Sequence, residues 1–468
     1  MDNALPEWRD LLGERATVDT TAHNRNLTEF PDRKIHSVLR PVSRAEVQEI
    51  IAVAARHRVP LYPVSTGRNW GLGSALPVMD GCAVVDLRLM NRILEINTDL
   101  RYAVVEPGVT QRQLADALAG GPCMLNVTGS GADTSVVGNV LERGVGVLGP
   151  RTRDLRALEA VLATGEIVRT GHWSTGDVPE WHQFPPGVGP DVTGLFVQSG
   201  FGIVTAAVVG LHPRQPVELA LVGSREADLV RHVDLLRLLR ESQLFRDRIE
   251  INAVDDPRLA GLPTGAGNWS TWVALWGEPP VVSVLRDALD KRFADVTYYR
   301  DDVSAPAPVR TRFRKLAGDP GDEYVSAMAG RPTNAVTIDE DMSFPGFVCA
   351  LPAVPFTGRH VRQVVSLARS VDVEVGARAH LTFNSVSEYG LEGFLRVPFD
   401  RRVEAEVAAA HRWVLLTQDR LAANGFRPTR TSVEHMYHAS GHTGFALTLK
   451  QAVDPLDLIS PGRYLPAR

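Results

Sequence analysis

Residues 63–75 read PVSTGRNWGLGSA, in which Gly67, Gly71 and Gly73 follow directly on a short β-rich stretch, VPLYPV. Glycine lacks a Cβ, so each can take a positive φ and admit a ligand close to the backbone, and successive N–H groups can then line a concavity for an anion. Ser65, Thr66, Asn69 and Ser74 add hydroxyl and amide groups, and Arg68 adds a charge that serves either the anion or a structural ion pair. The loop is neither a GxxxxGK[ST] phosphate loop nor a GxGxxG dinucleotide fingerprint, and no helix follows at once. A pyrophosphate nest and a ligand-free glycine turn both remain open from this loop alone.

Upstream, RPVSRAEVQEIIAVAARHRVPLYPVSTG places Ser43 three residues before Glu46, a capping box, and then apolar residues at helical spacing through Ala55. The order is therefore helix, strand, glycine loop. Downstream, GCAVVDL, RYAVVEPG, LEAVLATGEIVRTG and FGIVTAAVVGLHP read as strands or hairpins, with TQRQLADALAG as a short helix. From about Pro216 helical and β segments alternate, among them ADLVRHVDLLRLLRESQ, WSTWVALWG and GRHVRQVVSLARSVDVEV, and KQAVDPLDLISPGRY predicts a helix ending in a fixed turn. The class expected is α+β.

A chain of 468 residues, 44% hydrophobic and 22% charged, has room for two or three cores and is too large for a small binding module. Its net charge of −5 comes without long basic runs, so nucleic acid is not an expected partner. The acidic start lacks an apolar signal core, and no stretch approaches the roughly 18 apolar residues of a membrane helix, so a cytoplasmic protein is expected. Cys82, Cys123 and Cys349 stand far apart without CxxC spacing, which supports neither a disulfide framework nor a zinc site.

A second glycine-dense segment, VTGSGADTSVVGNVLERGVG (residues 127–146), repeats the loop chemistry. With the first loop, RYAVVEPGVT, LEAVLATGEIVRTG, GPDVTGLFVQSGFGIVT and the terminal AVDPLDLISPGRY, it follows the order and spacing of a known family. The chain resembles the vanillyl-alcohol oxidase and p-cresol methylhydroxylase family of FAD-linked oxidases across nearly all of residues 36 to 213. That resemblance implies a two-part FAD-binding domain (1–213), an α+β cap with an antiparallel sheet (214–430) and a terminal return to the FAD domain (431–468). It further implies an extended FAD held by Pro63, Ser65, Thr66, Gly67, Arg68, Asn69, Trp70, Gly73 and Ser74 on the first loop. Pro107, Gly108, Thr128, Gly129, Ser135, Gly138, Asn139, Gly202, Ile203 and Arg463 would complete the site.

Relatives that oxidise phenols hold the phenolate with two tyrosines and an arginine, because a buried oxyanion needs preorganised donors. Aligned with them, this chain has Leu72 and Thr429 in place of the tyrosines and retains Arg430. Arg430 is read either as an interdomain ion pair or as a cation near the flavin. With His435 and Tyr437 it forms the catalytic candidate set, while Leu72, Thr429 and His380 are substrate-pocket candidates; Tyr389 reads as packing or pocket. In SVEHMYHASGH, His435, His438 and His442 would share a face of a helix, but no acidic or cysteine partner stands at ligand spacing, and no metal is expected.

The resemblance implies hydride transfer from a small alcohol or benzylic-type carbon to the flavin, with molecular oxygen as acceptor and a homodimer allowed. A flavin-dependent oxidative decarboxylase or hydroxy-acid dehydrogenase is the alternative enzyme, and a non-catalytic flavin-binding subunit the alternative from another class. Relatives that tether FAD use a histidine or tyrosine on the cap strand before an aromatic–Asp–Arg turn, a loop histidine, or a cysteine near the second loop. The matching positions are Phe399–Asp400–Arg401, Asn69 and the neighbourhood of Cys123, so FAD is expected to be non-covalent.

Overall fold

The computed structural model describes residues 4–176, 182–245, 247–262, 267–322, 345–436 and 443–467. The chain is α+β, and its described strands are, in order, β1 (Ala16–Thr17), β2 (Ser37–Leu39), β3 (Leu61–Val64), β4 (Ala83–Asp86), β5 (Ile93–Asn97), β6 (Tyr102–Val105), β7 (Cys123–Met124), β8 (Leu155–Val161), β9 (Ile167–Arg169) and β10 (Ile203–Gly210). Then come β11 (His212–Pro213), β12 (Val217–Ser224), β13 (Glu250–Ala253), β14 (Trp269–Trp276), β15 (Val296–Tyr299), β16 (Gly346–Pro355), β17 (His380–Ser385), β18 (Gly390–Phe399) and β19 (Pro428–Arg430).

The first sheet has the order β1-β2-β4-β3. Its β2, β4 and β3 are parallel, which requires a crossover, and the helix Arg44–His57 supplies one. Ser43 caps that helix by accepting from the Glu46 amide, as the sequence predicts. The Glu46 carboxylate instead accepts from Val42 N and Arg15, so the capping box is only half made. A second, antiparallel sheet has the order β5-β6-β10-β8-β9.

Residues after 216 build an antiparallel eight-stranded sheet, β15-β12-β14-β13-β17-β18-β16-β19. Along β18, Leu391, Leu395, Val397 and Phe399 enter a core shared with the helices Leu229–Glu241, Gly358–Val375 and Glu404–Ala423. With a side-chain period of two, Glu392, Phe394 and Arg396 must turn to the opposite face. Strand β17 buries Leu381 and Phe383 in the same core and turns out Thr382 and Asn384, and β13 buries Ile251 and Ala253 and turns out Glu250 and Asn252. One sheet face is thus oily and helix-covered; the other is polar along β13, β17 and β18 and apolar along β12 and β14, where Leu219, Leu221 and Trp272 join the core of the second sheet.

The chain then returns. Leu61 N donates to Leu458 O, and Ser460 N to Leu61 O, each at 2.7 Å, so the terminal segment joins the first sheet beside β3. Lys450, buried at the end of the helix Thr443–Val453, donates to Gly200 O and Ile459 O and pairs with Asp454. Among the described residues no helix is long and apolar enough to cross a membrane.

Candidate active site

Strand β3 delivers the glycine loop to the mouth of a long cleft, and three backbone segments converge there. Ser135 N donates to Thr66 Oγ1 at 3.1 Å, and Ser135 Oγ donates to Pro107 O at 2.6 Å while accepting from Gly138 N. At Gly138 a Cβ would stand 2.8 Å from Ser65 Oγ, so only glycine allows this approach of the second segment to the first loop. Trp70 Nε1 and Asn139 Oδ1, both on cleft-lining residues, are buried without a hydrogen-bond partner among the described residues. An elongated ligand with acceptor and donor atoms would satisfy them.

Pro63, Ser65, Thr66, Gly67, Arg68, Asn69, Trp70 and Ser74 line the cleft, as do Pro107, Thr128, Gly129, Ser135, Gly138, Asn139, Gly202 and Arg463. The remaining expected cofactor contacts stand behind the wall. Gly108 is pressed against the Leu87 and Arg88 carbonyls, and Ile203 is fully buried in the core of the first sheet. At Gly73, with φ of 110°, a Cβ would meet Val433 at 2.5 Å; at Gly71, with φ of 75°, it would meet the Phe347 ring at 2.4 Å. Both glycines therefore let Phe347 and Val433 pack directly on the loop.

At one end of the cleft Arg463 bridges Glu142 (2.6 Å) and Tyr62, and Tyr464 donates to Glu142 at 2.9 Å. Burial weakens the Arg463 proton's hold, but Glu142 and Tyr62 more than reverse this, so the guanidinium stays charged.

The polar face of the eight-stranded sheet forms the other wall, with Asn384, Glu392, Phe347, Phe394 and Arg430 on its strands, and Arg248 and Arg258 reach the cleft from the segments just before and after β13. Glu392, 4% exposed, accepts from Thr429 Oγ1 at 2.6 Å and lies 3.9 Å from Arg430 Nη2. Arg258 is held by Asp256 (2.7 Å) and donates to Thr382 Oγ1 (2.7 Å). Burial would raise the Glu250 carboxyl, but Arg248, Arg312 and Arg258 outweigh it and hold Glu250 at about 2.

Among the described residues singled out after residue 213, Arg430 lines this wall and Thr429, His380, Tyr389 and His435 do not. Thr429 gives its one hydroxyl proton to Glu392 at 2.6 Å, with Leu351 O 3.1 Å away. Leu72 is buried against Cys349 and Leu351, where it closes the seam between loop and cap. His435 bonds to Ser432 and packs edge-on against Phe30, away from the cleft. His380 sits near Asp255, its proton affinity lowered by burial and by Arg396, and Tyr389 is exposed on a turn. Tyr437, His438 and His442 lie outside the described residues. Sequence reasoning passed over Arg248, Arg258, Asn384 and Glu392. For Glu392 and Asn384 the signal was an alternation in which Glu392 and Arg396, and Thr382 and Asn384, are interleaved with apolar Leu391 and Leu395, and Leu381 and Phe383; Arg248 and Arg258 lie outside those segments and gave no such signal.

Residues 35–171 match the family described as FAD binding domain. Over 99% of its length the chain is 30% identical to 1'-carboxy-chondrochloren decarboxylase of Chondromyces crocatus, covering 97% of that protein. It is 28% identical to the 4-cresol dehydrogenase [hydroxylating] flavoprotein subunit of Pseudomonas putida, over 89% of this chain and 85% of that one. Substrate-bound p-cresol methylhydroxylase shares the fold, with a TM-score of 0.89 at 24% identity over 99% of this chain and 96% of that one.

Proposed function

The chain belongs to the p-cresol methylhydroxylase-type family of FAD-linked oxidoreductases, and we propose that it uses FAD to oxidise a small substrate bearing a carboxylate and an alcohol or benzylic-type carbon. One observation carries this reading: Arg248, Arg258 and Arg430 share a cleft wall with Glu392 and two phenylalanine rings. The residues on the opposite wall suit the cofactor, since Gly138 closes on Ser65 and the Trp70 and Asn139 polar atoms await partners. On this reading residues 1–213 and 431–468 hold the cofactor, and 214–430 shape the substrate site.

When bound, FAD supplies the two-electron acceptor for a hydride. The protein's part is positioning and charge. Arg248 and Arg258 orient the carboxylate, Arg258 being preset by Asp256. Phe347 and Phe394 flank the organic body of the substrate and exclude water. Glu392 takes the hydroxyl proton at its carboxylate, and Arg430 offsets the negative charge left on that oxygen. Without the phenol-binding tyrosines, a simple phenol has no dedicated oxyanion site. Molecular oxygen is the proposed acceptor for the second half of the cycle.

A second reading, oxidative decarboxylation, draws support from the name of the relative that matches the whole chain. In it, loss of a hydride is accompanied by collapse of the neighbouring C–COO⁻ bonding pair into a C=C bond, releasing carbon dioxide. Anaerobic mixing of the purified yellow protein with hydroxy acids, aryl carboxylates, their amides and p-cresol tests both. Bleaching by acids and not by amides supports the carboxylate site, and carbon dioxide release selects decarboxylation. Rapid bleaching by p-cresol and not by the acids would sink the proposal, and no bleaching by any of these compounds would favour a non-catalytic flavin subunit.

A further inference from the structure

Gln198 carries a left-handed backbone, with φ of 51°, inside the cleft-lining segment GLFVQSGFGIV. That region strains any residue with a Cβ, and glycine is its natural occupant. Three residues nearby are glycine, yet this position keeps a long amide side chain. Its Nε2 reaches over to the cap to donate to Thr429 O at 2.9 Å and approaches Tyr464 OH at 3.4 Å, while its backbone N–H donates to Leu141 O at 2.9 Å.

The far end of this contact is the residue before Arg430. Strand β19 is a three-residue edge strand, paired to β16 through Leu351↔Arg430 and Pro352↔Pro428 with a register irregularity between them, and Ala353 N donates to Arg427 O just before it. The Arg430 side chain does little to fix itself. Its nearest carboxylate oxygen, on Glu392, is 3.9 Å away, beyond hydrogen-bond range, and its Nε is buried without a hydrogen-bond partner among the described residues. The guanidinium is therefore placed mainly by its backbone, and that backbone is gripped from the cofactor side by Gln198.

We infer that Gln198 is a positioning residue that sets Arg430 relative to the cofactor through the Thr429 carbonyl. The inference rests on the reading of Arg430 as a cleft-facing cation. Removing the side chain with Gln198→Gly acts in opposite directions on fold and site. Glycine relieves the left-handed strain, so stability is kept or raised, while the grip on Thr429 is lost. Gln198→Glu keeps the size but turns an acceptor toward an acceptor, so it loses the grip without the backbone relief.

The experiment compares wild type, Gln198→Gly, Gln198→Glu and Arg430→Ala by thermal melting with and without bound FAD and by the midpoint potential of the bound flavin. Displacing or deleting the cation should disfavour reduced flavin about tenfold, ~30 mV lower for a two-electron couple, in all three variants. Gln198→Gly should melt no lower than wild type. A lowered potential in Arg430→Ala with wild-type potentials in both Gln198 variants would overturn the positioning role. So would a Gln198→Gly protein whose melting temperature falls while its potential stays unchanged, which marks a purely structural residue. If Arg430→Ala itself leaves the potential unmoved, the reading of Arg430 fails first and the inference falls with it.

Discussion

Asn384 and Glu392 stand directly opposite one another on neighbouring antiparallel strands, and both open onto the cleft. The same cross-strand line continues to Glu250, which faces Asn384 from the other side. Residues so opposed project from the same face, so one row across the sheet carries a cleft-facing carboxylate, an amide and a carboxylate locked by arginines. Asn384 Oδ1 is buried with no hydrogen-bond partner among the described residues, which leaves it for a donor on the ligand.

Replacing Glu392 by glutamine tests the proton acceptor in that row. The amide oxygen can still accept from Thr429, so folding and FAD content should be retained. Reduction of the flavin by a productive substrate should slow by roughly 10²–10⁴, the usual contribution of a positioned base. Stopped-flow reduction rates decide it, and a loss below threefold would move the base elsewhere.

Two glycines separate the cofactor cradle from the domain seam. In Gly138→Ala the new methyl would stand 2.8 Å from Ser65 Oγ, and the expected result is loss of bound FAD with a modest change in melting. In Gly71→Ala the methyl would enter the Phe347 ring from a backbone at φ of 75°, which should destabilise the protein by a few kcal/mol even without FAD. Flavin stoichiometry and melting of the two apo-proteins should therefore rank the variants oppositely.

The glycine loops and the helix after Ser43 were legible because each depends on local rules, positive φ and a capping residue with a short apolar period, whereas the terminal return was expected from the family resemblance alone. The cap wall was not legible, although its alternation was present. Glu392, Asn384 and Glu250 lie more than a hundred residues apart at the extremes, and only the pairing of β13, β17 and β18 brings them into one row. Leu72 and Gly71 misled for the complementary reason: their neighbours Phe347, Cys349 and Leu351 come from a distant strand, so loop chemistry alone could not reveal a packing role.

Lys450 ties the returning terminus to the first sheet. Its ammonium is buried between Asp454 and the carbonyls of Gly200 and Ile459. Lys450→Met strands the Asp454 charge in a low-dielectric site, a change that costs about 3–5 kcal/mol when one partner of a buried pair is removed. Denaturant unfolding of the apo-protein should show that loss, together with weaker FAD retention, because Ser460 and Arg463 line the cleft just beyond the anchor. Wild-type stability would show that the anchor is dispensable.

Acid sensitivity should trace to Glu250. Its folded carboxyl titrates at about 2 against an ordinary 4.5, so the folded state binds its proton less readily than the unfolded chain. The stabilisation is therefore present above 4.5 and lost as the pH falls through about 2. The shift corresponds to ~3 kcal/mol, so wild-type unfolding free energy should decline steeply between pH 4.5 and 2. Glu250→Gln should be less stable at pH 7 and show a flatter acid limb in denaturant titrations at stepped pH.

The remaining prediction is that FAD is held without a covalent bond. A tether needs a nucleophilic side chain at the isoalloxazine ring, and no histidine or cysteine is among the described residues lining the cleft. Cys123 is buried with its thiol on Thr98 O, Cys349 is buried with its thiol toward Gly71 O and its proton affinity raised by burial to about 12, and His380 faces Asp255. Phe399, at the aromatic–Asp–Arg turn, lies in the core and has no nucleophile. Tyr62 does line the cleft, but Arg463 occupies its hydroxyl, and burial raises its proton affinity, so the phenolate that would attack is disfavoured. Acid precipitation should therefore release all yellow colour to the supernatant. Flavin that stays in the pellet and migrates with the polypeptide on a denaturing gel would refute this, and Tyr62, Tyr437, His438 and His442 would then be the first positions to substitute.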